Sequence, residues 1–245
     1  MKLSVIIPCH NEAGCVEETI RCLYSALKDV QISHEIVAIN DNSTDDTVKN
    51  LLALKEFIPT LKLFHNLGPA GFGLAVRTGL DAHQGQVIAI YMADASDSPK
   101  DLVHCYQTLM DRNVDCVFGS RFIRGSHVSN YPWHKLILNR LANLFIRFLF
   151  GLHSNDITNA FKLYRSHVIE GVRPFLSHHF NLTVELPLKA IVRGYTYAVI
   201  PISWSNRKTG VSKLRIKEMG SRYLFIVLYC LLEKWLSRGD YRKKD

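Results

Sequence analysis

Asp94 and Asp97 are the residues of this sequence best placed to do chemistry. They follow an apolar run, Val87 to Met92, with Ser96 and Ser98 beside them and Pro99 just beyond. Hard carboxylate oxygens at the end of a buried strand suit a divalent cation holding a phosphate. A plainer reading is that Asp97 or Ser98 caps a helix opening near Pro99 and that Asp94 is a solvated turn residue. Two more polar clusters follow apolar runs: Cys9-His10-Asn11-Glu12, and Asp41 through Thr47. The segment Asn66 to Gly73 carries Gly68, Gly71 and Gly73, which permit tight turns and close backbone approach to a ligand. Its spacing is neither a Walker loop nor a dinucleotide fingerprint.

The elements that must position these groups are legible in the hydrophobic pattern. Leu3 to Ile7 reads as a first strand stopped by Pro8, with Asn11 able to cap a helix over 13–28, where Val16, Ile20, Leu23, Tyr24 and Leu27 recur at helical spacing. Glu35 to Asn40 is the second strand and leads through the Asp41–Thr47 cluster into a helix reaching Leu54. Leu61 to His65 is a short third strand, a helix from about Leu74 to His83 follows, and the run from Val87 is the fourth strand. Strands alternating with helices predict an α/β doubly wound sheet. Right-handed connections would then bring residues 8–12, 41–47 and 94–98 to one sheet edge, which favours the cation reading of Asp94.

Past residue 100 a helix is expected over Asp101 to Arg112 and a strand over Asp115 to Gly119, before Ser120-Arg121-Phe122 and a basic loop through Arg124 and His127. From Trp133, the residues Leu136, Ile137, Leu141, Leu144, Phe145, Phe148 and Leu149 keep helical spacing, edged by Lys135, Arg140 and Arg147. Such a stripe fits an interfacial membrane helix or a core helix packed on the sheet. Another helix is expected near Glu185 to Val192 and a strand near Tyr195 to Ile202. Residues 204–214 form a basic, glycine-containing loop suited to closing over phosphate, and 215–236 an amphipathic helix before a polybasic tail of Arg238, Arg242, Lys243 and Lys244.

Thirty basic against twenty-two acidic residues give a formal charge of +8 and favour anionic partners. No aromatic platform or helix motif points to nucleic acid. The six cysteines form no Cys-x-x-Cys pair and no zinc spacing, so they are read as free thiols of a reducing compartment. The most continuous apolar segment, Tyr223 to Leu232, falls short of the roughly 20 residues that a membrane-crossing helix needs. A cytoplasmic protein without a transmembrane helix is expected.

Taken together, the motifs resemble family 2 glycosyltransferases of the GT-A fold, and more narrowly polyprenyl-phosphate enzymes similar to dolichol-phosphate mannosyltransferase. Ser4-Val5-Ile6-Ile7-Pro8 with Asn11-Glu12 looks like the family's opening strand and loop. Asn40-Asp41-Asn42-Ser43-Thr44-Asp45-Asp46-Thr47 is similar to its Asp-Asp-x-Ser-x-Asp-x-Thr turn, with Asn40 replacing the first aspartate. Asn66 to Gly73 resembles its Asn-x-Gly-x-Gly segment. Met92-Ala93-Asp94 retains the last aspartate of the usual Asp-x-Asp metal motif. Gly119-Ser120-Arg121, Asp156 to Arg165 and Arg207 to Leu214 match further motifs, the last most specifically; Asn159 and Ala160 differ from the family.

The resemblance implies a GT-A catalytic domain over 1–205, with an amphipathic acceptor-side helix at 133–152. Residues 206–245 would then form a mobile basic loop and an amphipathic C-terminal helix with its tail. It further implies a nucleotide-sugar donor held by Pro8, His10, Glu12, Asp41, Gly71, Gly73, Arg207 and Lys213, and Mg²⁺ or Mn²⁺ on Asp94 and Asp97. A polyprenyl phosphate acceptor would be held by Arg121, Lys135 and Asn139, and its ionised oxygen would attack with inversion and need no strong base. A saccharide or other hydroxyl acceptor would instead call for a carboxylate base, Asp97 or Asp156. A catalytically weak nucleotide-sugar-binding subunit is the third reading. Asp94, Asp97, Arg121 and Asp156 are the expected catalytic residues. The protein is expected to sit peripherally on the anionic cytoplasmic face of a membrane, with a membrane-protein partner or a second copy as further possible partners.

Overall fold

The computed structural model describes residues 1–206 and 216–243, of which 216–219 by their backbone alone. The chain runs β1 (Leu3–Cys9), α1 (Val16–Asp29), β2 (His34–Asn40), α2 (Thr47–Phe57), β3 (Leu61–His65), α3 (Phe72–Ala82), β4 (Val87–Ile90), α4 (Pro99–Asp111) and β5 (Cys116–Ser120). It continues through β6 (His127–Ser129), α5 (Trp133–Phe150), β7 (Lys162–Arg165), α6 (Ser166–Gly171), α7 (Leu182–Val192), β8 (Tyr197–Pro201), β9 (Ser203–Ser205) and α8 (Ile216–Leu236). The expected α/β architecture is present, as a seven-stranded sheet in the order β3-β2-β1-β4-β7-β5-β8 beside a small β6-β9 ribbon.

Uninterrupted apolar strands form because both faces of this sheet are covered. Val5, Ile7, Ile36, Ala38, Val87 and Ala89 face a core shared with α1 and α4, whereas Ile6, Val37, Ile39, Ile88 and Ile90 face a second core with α3 and α7. Gly79 lets α3 lie close on β1, since a Cβ there would meet Ile6 Cγ2 at 2.5 Å. A third apolar cluster joins α5, α7 and α8 through Ile146, Leu188, Ile226 and Cys230.

Several expectations need adjustment. Asn11 does not cap α1, which starts at Val16; at φ 54° its Oδ1 instead accepts the Thr44 N–H at 2.7 Å. The segment before Arg165 carries a strand that period alone did not reveal. β7 runs antiparallel between β4 and β5, pairing Ile90 and Phe118 with Lys162, while all the other ladders of the large sheet are parallel. Its first residue therefore lies at the edge where the parallel strands end. In the basic tail, Lys243 is committed to Asp115 at 3.2 Å and to the Arg193 carbonyl, while Arg238 and Arg242 are exposed. Lys244 and the loop residues 207–214 lie outside the described residues.

At the opposite edge, Glu35 is a buried carboxylate that accepts hydrogen bonds from Ser4 Oγ (2.5 Å), Lys62 Nζ (2.6 Å), Lys2 Nζ (3.2 Å) and the Gln84 N–H (2.7 Å). Burial alone would raise its pKa; the hydrogen bonds from Lys62, Ser4, Gln84 and Lys2 outweigh it and hold the group near 2, below its usual 4.5. A depressed folded-state pKa gives stability that is complete above about 4.5 and lost as pH falls toward 2. Thermal melts between pH 6 and pH 2 should therefore show an acid limb that Glu35→Gln flattens; an unchanged limb would mean the pairing is absent in solution.

Candidate active site

The strand-end turn after β4 is built around Asp97. Its Oδ2 accepts the Met92 N–H at 3.1 Å, and its carbonyl accepts the Tyr91 hydroxyl at 2.7 Å. Asp94 Oδ1 accepts the Ser96 N–H at 3.2 Å across Ala95, whose φ of 57° turns the chain sharply. Ser98 stands at the N-cap of α4 without a side-chain cap bond, so the capping reading of Asp97 and Ser98 does not describe this turn. Asp94 and Asp97 are both buried. Burial, then the charge of Asp94, pushes the Asp97 carboxyl up to about 7, against the Met92 N–H and Arg121. Two buried carboxyl groups in one strand-end turn make a place where a cation would be favoured. The turn is further held by β9, through a bridge from Asp97 to Trp204 and the Ser205 N–H bonded to the Ser96 carbonyl at 3.1 Å.

The loops after β1, β2 and β3 are stitched together beside this turn. His10 Nδ1 lies 2.5 Å from the Asp41 carbonyl, the Glu12 N–H donates to Thr47 Oγ1 at 2.8 Å, and the Asp41 N–H donates to the Cys9 carbonyl at 2.7 Å. Pro8 is buried in β1 just before them. The buried Asp41 carboxylate accepts Asn66 Nδ2 at 2.7 Å and the Gly71 N–H at 2.9 Å, so it anchors the glycine segment. A Cβ on Gly71 would meet the His178 carbonyl at 2.6 Å, and one on Gly73 the Ser177 carbonyl at 2.7 Å. The close neighbour at both glycines is therefore the protein's own 177–179 segment.

On the far side of β4, the antiparallel β7 delivers Asp156 to Arg121. Asp156 accepts from Arg121 Nε at 2.8 Å, Nη2 at 2.7 Å and the Arg121 main-chain N–H at 3.0 Å, and both residues are buried. Burial would lower the guanidinium's pKa, but Asp156 holds it well above its usual value. Phe122, Tyr131 and Trp204 stand 5.2, 5.7 and 5.8 Å from it, within cation–π range. With both oxygens committed to Arg121, Asp156 is suited to holding a cation rather than to taking a proton.

Asn139 and Lys135 lie on the first turns of α5. Asn139 Nδ2 donates to Thr158 Oγ1 at 2.9 Å, and Asn143 bonds to both Asn139 and Thr158, so Asn139 is wired into the turn that begins at Asp156. Lys135 is half-buried on the same helix. Arg207 and Lys213, expected at the diphosphate, lie outside the described residues. The edge thus gathers Asp94, Asp97, Arg121 and Asp156, with the 8–12 and 41–47 loops beside them. Sequence reasoning missed the aromatic wall of Tyr131 and Trp204 and the buried Lys162; a lone cation inside an apolar strand was the available signal for the latter.

Because Arg121 is buried, removing its partner leaves an uncompensated charge. Asp156→Ala should cost about 3–5 kcal/mol in urea unfolding; a loss within experimental error would mean the pair is solvated.

The family model described as "Glycosyl transferase family 2" matches residues 4–173. The chain is 31% identical over 217 residues to polyprenol monophosphomannose synthase of Mycolicibacterium smegmatis, covering 86% of this chain and 80% of that protein. It is 23% identical over 240 residues to undecaprenyl-phosphate mannosyltransferase of Micrococcus luteus, covering 96% of each. Among solved structures, glucosyl-3-phosphoglycerate synthase of Mycobacterium tuberculosis, crystallised with Mn²⁺, UDP and phosphoglyceric acid, superposes with a TM-score of 0.70 at 18% identity, over 95% of this chain and 78% of that chain. The same enzyme crystallised with Mg²⁺ and UDP gives 0.68 at 16% identity, over 95% and 79%. The sheet is that of the GT-A fold, and the chain belongs to glycosyl transferase family 2.

Proposed function

We propose that this protein moves a sugar from a nucleotide-sugar donor to a polyprenyl phosphate, with inversion at the sugar carbon, at the cytoplasmic face of a membrane. The observation that carries the reading is Arg121: a guanidinium oriented by Asp156, walled by aromatic rings, and set where α5 begins. The names of the mannosyl-transferring relatives support the acceptor class.

In this reading the donor diphosphate lies over the loops of Pro8, His10, Glu12, Asp41, Gly71 and Gly73, with Arg207 and Lys213 drawn to it by charge. Among the described residues no cluster of three or more His, Cys, Asp and Glu forms, so an ion would rest on Asp94 and Asp97 and on donor and water oxygens. That donor set fits Mg²⁺ or Mn²⁺, which commonly takes one or two carboxylates plus phosphate oxygens, and solved neighbours crystallised with Mn²⁺ or Mg²⁺ and UDP support it. When bound, the ion neutralises charge on the departing diphosphate. Arg121 and Lys135 orient the acceptor phosphate for in-line attack, with Asn139 behind them. The attacking oxygen is already ionised near neutral pH, so no side chain need remove a proton.

The helices supply a surface for the lipid. Trp133, Ile137, Leu141, Leu144 and Phe148 of α5 are exposed, Phe148 by 84%, as are Phe225, Leu232 and Trp235 of α8. Exposed Arg140, Arg147, Arg238 and Arg242 accompany them. An apolar face edged by arginine suits the interface of an anionic bilayer. Among the described residues no helix is long and apolar enough to cross a membrane.

The test is transfer from a panel of nucleotide sugars, with Mg²⁺ or Mn²⁺, into vesicles holding undecaprenyl phosphate. Asp94→Ala should abolish transfer, and Lys135→Ala should raise the acceptor KM. Undiminished turnover in Asp94→Ala would remove the metal role. Transfer to saccharides alone would favour a hydroxyl acceptor with Asp97 as base, and inactivity with every donor would favour a nucleotide-sugar-binding subunit. Phe148→Ser with Trp235→Ser should weaken flotation with anionic vesicles; unaltered flotation would exclude this face.

A further inference from the structure

Lys162 opens β7 and is 1% exposed, a rare site for a cation. Its Nζ donates to main-chain carbonyl oxygens of Ile157 at 2.9 Å, of Asn159, and of Thr183 at 3.2 Å. An ammonium carries three protons and no lone pair, so the charged form matches these acceptors and a neutral amine does not. Burial pushes the group down to about 7, with Asp156 opposing that shift and Arg121 adding to it. An apolar residue would avoid that cost in a strand flanked by Ile90 and Phe118, but it would leave the buried carbonyls unpaired.

Ile157 and Asn159 belong to the turn that starts at Asp156. Thr183 Oγ1 ties the same turn to α7 by donating to the Thr158 carbonyl at 3.1 Å, and Asn159 Nδ2 ties it to the Gly119 carbonyl at 3.1 Å. Asp156 in turn sets the Arg121 guanidinium. We propose that Lys162 is a positioning residue of the acceptor site: by gathering the Ile157, Asn159 and Thr183 carbonyls, it fixes the Asp156 turn and, through Asp156, the direction in which Arg121 faces the acceptor phosphate. The link to catalysis rests on the acceptor reading above. Lys189 offers a contrast, since it is as deeply buried but pairs with Glu185 and the Pro174 carbonyl, away from Arg121.

The test compares the full-length protein with Lys162→Met, Lys162→Arg and Lys189→Met, using undecaprenyl phosphate in vesicles and measuring the acceptor KM, the donor KM and donor binding by calorimetry. Lys162→Met should raise the acceptor KM by about tenfold, the scale of one charge-assisted hydrogen bond, and leave donor binding within about twofold. Lys162→Arg should restore the acceptor KM, and Lys189→Met should lower stability without acceptor selectivity. Parallel losses for donor and acceptor in Lys162→Met, or an unaltered acceptor KM, would overturn the proposal. If Lys162→Met does not fold, Thr183→Val carries the same test at the Thr158 carbonyl, and a loss there without acceptor selectivity would overturn it. An acceptor-independent readout is the Arg121 Nε–H resonance, slowed in solvent exchange by Asp156; its protection should be lost in Lys162→Met and kept in Lys162→Arg, and protection retained in Lys162→Met would overturn the proposal. If the unmodified protein transfers to no polyprenyl phosphate, the function proposed above fails while this resonance still decides the role of Lys162.

Discussion

A single antiparallel strand governs how this site is assembled. Parallel strands deliver their C-terminal ends to one edge, and the residues that precede them lie at the other. By running the opposite way between β4 and β5, β7 brings the residues before it to the functional edge. Asp156 can then reach Arg121 after β5, while the Asp94 turn follows β4 on the other side of the same strand. Were β7 parallel, its start would lie at the Glu35 edge and Arg121 would be buried without Asp156.

That arrangement separates charge across the site. Asp94 and Asp97 share one buried turn, where burial and the charge of Asp94 push the Asp97 carboxyl up, whereas Arg121 is paired, flanked by aromatic rings and held protonated. An acidic point and a cationic point thus stand on either side of the one strand β7. Such groups stabilise developing charge best when they need not reorganise. The hydrogen bonds that fix them come largely from neighbouring backbone, as with Met92 on Asp97 and Ser96 on Asp94. Elsewhere Glu185 pairs with Lys189 and Arg193 with Glu233 inside the scaffold.

The apolar groups follow a different logic on the two sides of the molecule. Within the sheet they vanish between two helical layers. On α5, by contrast, Asn143, Ile146 and Phe150 turn inward while Trp133, Leu141, Phe145 and Phe148 remain outside. Burying those side chains within the monomer would require another layer on α5 and α8. Their exposure is therefore a property of the fold's surface, and it begins at the helix end nearest Arg121.

Much of this was written in local pattern. The strands Leu3–Cys9, His34–Asn40, Leu61–His65 and Val87–Ile90 were legible because continuous apolar runs between polar turns admit few alternatives, and the right-handed connection rule placed their ends together. The helical stripe from Trp133 was equally plain, but whether it faced a core or the outside was not, since both use the same period. Tertiary structure alone decided the direction of β7, the commitment of Asp156 to Arg121, the turn of Asp97 toward the Met92 amide instead of the α4 cap, and the wall of Tyr131 and Trp204. Each of those joins residues distant in the chain or chooses among several partners for a polar group. A one-dimensional pattern records which groups must be buried or bonded; only packing selects what they are buried against and bonded to.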